Sequence, residues 1–230
     1  MRPSLYHVPT LSESAGRYSS WCNLVAAAHP PELHEGYALW LDREGLALIN
    51  ATLPGAFRLT SQIFSARLSG QSLLARACSG GGQNLTILDP FAGFGLDGLL
   101  LAHLDHRLTF VEKHPAIWLL LTEFAEDLGL EVAAHCDDAM RFMQETTESW
   151  DVVFLDPMFP ARRKKALPNL GLQHLRSLAG GEDIDLPACL DLAKQRANLR
   201  VVFKHRLKDP IIGKPSHQLK GQAVRFDVYV

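Results

Sequence analysis

The stretch "LTILDPFAGFGLDGLLLAHL", residues 85–104, decides the fold. A short apolar run ends on an acid, Asp89, and a corner carrying Gly93 and Gly95 follows. Glycines there let the backbone turn tightly and let a ligand approach the main chain. From Leu96 the apolar spacing becomes helical. A strand, a glycine turn and a helix in immediate succession form the opening unit of a βα repeat.

The same rhythm continues downstream. "RLTFVE" reads as a strand, and "PAIWLLLTEFAEDLG" as a helix with Pro115 in its first turn and Gly129 past its end. "EVAAHCD" is a strand, "DAMRFMQETT" a helix and "WDVVFLD" a strand; "LPACLDLAKQRA", "LRVVFKH" and "VRFDVYV" read as helix, strand and final strand. Repeated βα units predict a mostly parallel sheet with helices on both faces, an α/β, Rossmann-like fold. Upstream, "YALWLDREGLALIN" reads as a β-hairpin, "ATLPGAFRLT" could add a strand, and residues 61–78 have helical spacing before Gly80-Gly81-Gly82. The expected division is a small N-terminal α+β subdomain, 1–78, and a Rossmann-like domain, 79–230.

At 47% apolar and 21% charged residues the chain has the make-up of a folded globular protein, which excludes a disordered one. No apolar run approaches a membrane span of roughly 20 residues, and Met1–Thr10 lacks a secretory signal's apolar stretch. Four scattered cysteines and ten histidines without ligand spacing predict reduced thiols, no metal and a cytoplasmic location. Charge is uneven: residues 157–230 carry 14 Lys+Arg against 6 Asp+Glu, and the first 156 carry 9 against 19. That asymmetry points to an anionic partner on the C-terminal third.

In sheets of this kind ligands bind beyond the carboxyl ends of the strands. The acids Asp89, Glu112, Asp137, Asp138 and Asp156 all fall there. Gly93-Phe94-Gly95-Leu96-Asp97-Gly98 matches the GxGxxG spacing of dinucleotide sites, but Asp89-Pro90-Phe91-Ala92 separates the strand from the first glycine. Asp89 and Asp97 would also repel a diphosphate. A cationic nucleoside suits such a corner better, and S-adenosylmethionine has that character. Glu112 is placed to accept both ribose hydroxyls, with Lys113 beside the adenine. Of Asp137 and Asp138, one is expected to meet the adenine amino group and the other to cap the helix from Ala139.

"VVFLDPMFPARRKK", residues 152–165, ends a strand on Asp156-Pro157-Met158-Phe159, a variant of the Asp/Asn-Pro-Pro-Tyr/Phe signature of enzymes that methylate exocyclic amines on bases. Such an amine is a poor nucleophile, because its lone pair is delocalised into the ring. A carboxylate and a carbonyl accepting its N–H groups would orient it. Asp156 and the Pro157 carbonyl fit that role, Phe159 offers a stacking face, and Arg162, Arg163, Lys164 and Lys165 follow as phosphate contacts. Lys204 and Arg206 are expected to extend the nucleic-acid surface.

These motifs, with "VEKHPAIWLLL", "VVFKHR" and the terminal "RFDVYV", resemble the RsmJ family, the bacterial 16S ribosomal RNA guanine-N2 methyltransferases. The resemblance runs from about residue 85 to the end, and more loosely over the hairpin. It implies a class I S-adenosylmethionine-dependent methyltransferase acting on 16S rRNA or the small ribosomal subunit. The implied cofactor contacts fall on Leu96, Asp97, Glu112, Lys113, Asp137, Asp138 and Asp156. The chain departs from the family at Leu96, where Arg is common, and at Asp137-Asp138, where serines are usual. The competing readings are an amino-methyltransferase for another RNA or DNA, an NAD-dependent oxidoreductase and a non-catalytic RNA-binding protein.

Overall fold

The computed structural model describes residues 2–68, 72–157, 169–179 and 184–230. Two sheets organise it. The first has five strands: β1 (Ser4–His7), β2 (Asn23–Ala26), β3 (Tyr37–Asp42), β4 (Gly45–Asn50) and β5 (Ala56–Phe57), in the order β2-β1-β3-β4-β5. β3 and β4 form the expected hairpin, closed where Asp42 pairs with Gly45, and Asp42 Oδ1 accepts the Glu44 N–H at 2.8 Å. A short helix, α1 (Ser12–Gly16), lies between β1 and β2; α2 (Ser61–Leu68) and α3 (Ser72–Ser79) follow β5.

The second sheet has seven strands, in the order β11-β12-β10-β9-β6-β7-β8. It begins with β6 (Thr86–Asp89), α4 (Leu96–His103), β7 (Arg107–Val111), α5 (Pro115–Asp127), β8 (Ala133–His135), α6 (Ala139–Glu145) and β9 (Trp150–Leu155). It is completed by α7 (Leu170–Ala179), α8 (Leu186–Arg196), β10 (Ala197–Arg206), β11 (His217–Lys220) and β12 (Val224–Tyr229). Strands β6, β7, β8, β9 and β10 run parallel, while β12 is antiparallel to both neighbours. From β6 the chain builds outward through β7 and β8, then returns to lay β9 on β6's other side. The carboxyl ends of β6 and β9 therefore flank the point where strand order reverses, and such points open the crevice in which ligands bind.

Close packing around α4 explains its glycines. Gly95 starts the helix at φ +69°, and a Cβ there would lie 2.0 Å from Leu121 Cδ1. At Gly98 a Cβ would lie 2.2 Å from the Phe110 ring, so α4 rests directly on β7. Helix α5 starts on Pro115 and ends in a Schellman turn: Gly129, at φ +67°, donates to Glu126 O and Leu130 to Ala125 O.

α5 also joins the two sheets. Ala116, Ile117, Leu119 and Leu120 pack with Leu5, Leu39, Leu41 and Leu48 of the first sheet. Leu121, Phe124 and Ala125 enter the core of the second. The expected division after residue 78 falls within α3, whose Leu74, Ala77 and Cys78 lie in the second sheet's core, as does Phe64 of α2. The helical spacing over 61–78 resolves into two helices, with residues 69–71 outside the described set. β1, β2, β11 and α7 are elements the sequence reading did not anticipate.

Leu120, 2% exposed, tests the shared core. Leu120→Ala is expected to cost about 2–5 kcal/mol and to lower Tm by roughly 5–15 °C. Calorimetry should still show one transition, because the helix belongs to both cores. Two resolved transitions would show that the sheets unfold separately.

Candidate active site

The carboxyl ends of the parallel strands open into a cavity of about 390 Å³. Pro90–Gly93 form one wall, and Glu112, Lys113 and Asp138 another. Asp156 and Pro157 stand at the end of β9, facing Lys204, His205 and Arg206 of β10. Leu172, Leu175 and Arg176 of α7 close the side.

The glycine corner is held by the end of β7. Ala92 N–H donates to Val111 O at 3.1 Å, and Gly93 N–H donates to Glu112 Oε2 at 3.0 Å. Glu112 Oε1 accepts the His114 N–H at 2.8 Å. Burial pushes the Glu112 carboxyl up, against the two backbone donors that favour its anion. Gly93 lines the cavity at φ +54°, where a Cβ would lie 3.2 Å from Leu175 Cδ2.

Asp138 caps α6, its Oδ1 accepting the Arg141 N–H at 3.0 Å, and also lines the cavity. Asp137 is turned to Arg141, whose Nε donates to its Oδ1 at 2.8 Å, and is absent from the cavity wall. The two roles were expected on different acids; in the structure Asp138 both caps α6 and lines the cavity, while Asp137 does neither.

A charged cluster runs from the wall inward, from Asp156 and Lys204, which line the cavity, to Asp97 behind them. Lys204 Nζ donates to Asp156 Oδ2 at 2.5 Å and to Asp97 Oδ2 at 2.6 Å. Arg67 Nε donates to Asp97 Oδ1 at 2.8 Å. Burial opposes ionisation of Asp97, but the Lys204 and Arg67 charges outweigh it and bring its carboxyl down to about 2. Asp156 moves the other way: burial, with Asp97 nearby, raises its carboxyl despite Lys204. Asp89, 2% exposed, is pushed well above the usual range by burial and then by Asp156 and Asp97.

Several expected site residues stand elsewhere. Asp89, Gly95, Leu96 and Asp97 lie behind the cavity wall. Asp89 is covered by its own loop, Leu96 packs on both cores, and Asp97 is taken up by Arg67 and Lys204. Lys204 was expected to extend the nucleic-acid surface; instead its ammonium is held between two carboxylates at the cavity wall, because β10 is an interior strand of the sheet. Arg206 does reach the cavity mouth. Phe159, Arg162, Arg163, Lys164 and Lys165 lie outside the described residues. The α7 wall went unread, although the spacing of Leu170, Leu175 and Leu178, all packed on the first sheet's core, is helical.

A doubly wound sheet, a glycine corner tied to an acid on the next strand, and an Asp-Pro at the switch point define a class I S-adenosylmethionine-dependent methyltransferase. The family described as "Putative SAM-dependent methyltransferase" matches residues 36–230. A ribosomal RNA small subunit methyltransferase J of Magnetococcus marinus is 38% identical over 83% of this chain and 83% of its own. The Pseudomonas aeruginosa protein of that name is 34% identical over 97% of this chain and 94% of its own. The crystal structure of a SAM-dependent methyltransferase from Neisseria gonorrhoeae superposes with a TM-score of 0.76 at 26% identity, covering 99% of this chain and 95% of that one. The chain belongs to the ribosomal RNA small subunit methyltransferase J family.

The buried acids carry a pH signature. Asp89 has a folded pKa above its unfolded one, so ionising it destabilises the fold as pH rises through the folded value. Asp89→Asn keeps the acceptor for Phe91 N–H and removes that charge. It should raise Tm by a few degrees at pH 8, and the gain should vanish toward pH 4, where the carboxyl is already neutral. Thermal melts across that range check it; a pH-independent change would contradict the assignment.

Proposed function

We propose that this chain methylates the exocyclic N2 of a guanosine in 16S ribosomal RNA, using S-adenosylmethionine. One observation carries the reading: the Asp156-Pro157 corner opens into the same cavity as Gly93 and Glu112. The lining suits the cofactor. Glu112 and Asp138 offer carboxylates for ribose hydroxyls and the adenine amino group, Lys113 flanks them, and Gly93 presents bare backbone beside the methionine part. When bound, S-adenosylmethionine supplies an electrophilic methyl group on a sulfonium, the N–C bond forming as the S–C bond breaks.

The remaining work falls to the chain. Asp156 and the Pro157 carbonyl accept the N–H groups of the amine, which turns its lone pair toward the donor. Asp156 takes up the proton that nitrogen sheds. Alignment of donor and acceptor supplies most of the acceleration, because the sulfonium is already reactive. Phe159 stacks the base, and Arg162, Arg163, Lys164 and Lys165 meet the adjoining phosphates, with Arg206 at the cavity mouth.

Asp156→Ala should lower methyl transfer at least about 100-fold and leave S-adenosylmethionine binding weakened but measurable. Glu112→Gln should instead weaken cofactor binding about tenfold, near 1.4 kcal/mol. Tritiated-methyl transfer to 30S particles and to free 16S RNA, with nucleoside analysis, and calorimetry of the cofactor separate the two effects. Full activity of Asp156→Ala, or label in any nucleoside other than N2-methylguanosine, would overturn the proposal.

A further inference from the structure

Lys204 lines the cavity with its side chain largely covered. Its side chain is 16% exposed and reaches two acids at once: Asp156 at the end of β9 and Asp97 on α4. Asp97 has a second cation in Arg67, from α2. Among the described residues, Lys204 from β10, Asp97 from α4, Asp89 from β6 and Arg67 from α2 carry charge around Asp156. Glu112, Lys113, Asp138, Arg176, His205 and Arg206 line the same cavity.

We infer that Lys204 is a positioning residue for the amine-orienting carboxylate of Asp156. Its bond to Oδ2 restrains the carboxylate's rotation and leaves Oδ1 outside that bond, on a side chain that lines the cavity and is 31% exposed. Asp97 holds Lys204 from behind, so the lysine is braced on both sides and its head cannot follow the substrate. A role as proton acceptor does not fit, because two carboxylates at hydrogen-bond distance keep the ammonium protonated. The second effect is electrostatic. Asp156 can take up the amine's proton only while ionised; burial and Asp97 oppose that state, and Lys204 supports it.

The sign of the pH effect follows. Removing Lys204 removes the charge that lowers the Asp156 pKa, so the acid limb of the kcat profile moves to higher pH. Removing the Asp97 charge takes away a like charge and leaves Lys204 to Asp156 alone, so the limb moves to lower pH. No rearrangement of the wall alone would give opposite shifts on removing the lysine and on removing the second acid that it binds.

The inference rests on Asp156 orienting the amine, and Asp156→Ala tests that reading separately. The experiment measures kcat against pH for 16S RNA at saturating S-adenosylmethionine, in wild type, Lys204→Met, Lys204→Arg and Asp97→Asn. Lys204→Met should lose about 100-fold in kcat at pH 7, with KM for RNA and cofactor Kd within about threefold. Its acid limb should rise by about one pH unit or more. Lys204→Arg should recover at least about tenfold, and Asp97→Asn should move the limb down. Wild-type kcat in folded Lys204→Met, or an equal loss at every pH, overturns the inference. If Lys204→Met fails to fold by circular dichroism, Asp97→Asn decides: a downward limb supports it and an unmoved limb overturns it. A dead Asp156→Ala alongside a wild-type-like Lys204→Met would leave the proposed function standing and remove only the lysine.

Discussion

Two parallel strands ending side by side, each on an acid, set the main constraint on this molecule. β6 and β9 are neighbours, so Asp89 and Asp156 are brought together where the sheet is covered by helices. Asp97, in the first turn of α4, adds a third carboxyl. Buried carboxylates repel one another and lose hydration, and the fold answers each differently. Asp97 receives two cations, Asp156 shares one, and Asp89 is pushed toward its neutral form. The protein therefore holds three like groups in graded states within one small region.

The first sheet acts on the site through α5 and α7. α5 buttresses α4, whose close approach depends on Gly95 beneath Leu121. α7 rests on β5, where a Cβ at Gly171 would come within 2.8 Å of the Phe57 ring, and it sends Leu172, Leu175 and Arg176 to the cavity. The hydrogen bond from Asn50 Nδ2 to Ser177 Oγ, at 2.9 Å, ties α7 to the end of β4. Thus the N-terminal sheet determines where one wall of the cavity stands, even though it supplies none of that wall's residues itself.

The strand, turn and helix units were legible because their signals are local: apolar runs, Gly93 and Gly95 at the corner, Pro115 and Gly129 bounding α5. β1, β2 and β11 were not, since each has four residues and gains its identity from distant partners. Asp138 as the cap follows from register alone once α6 is seen to begin at Ala139. Lys204 and Arg206 do not share one outer basic surface. On a strand, successive side chains point to opposite faces, and His205 indeed stacks on Phe203 with a centroid distance of 4.3 Å. A lysine following Val201, Val202 and Phe203, all buried, belongs to an interior strand and requires an acid partner. The sequence contained that requirement; which acids meet it depends on chain crossings that no local pattern encodes.

The literal GxGxxG run illustrates how one geometry serves different chemistry. Its last glycine, Gly98, does what the dinucleotide fingerprint asks, letting helix and strand pack closely. Its first, Gly93, gives its N–H to Glu112. In a diphosphate site the turn's N–H groups and the helix N-terminus face an anion. Here Asp97 occupies the first turn of α4, and a carboxylate takes up the Gly93 donor. The corner keeps the shape of an anion site with its electrostatic sense reversed, leaving a pocket whose rim favours a positively charged nucleoside. Lys204 is consistent with that sense. Its charge is already neutralised between Asp97 and Asp156, so it steadies the site without setting up a field against an incoming cation.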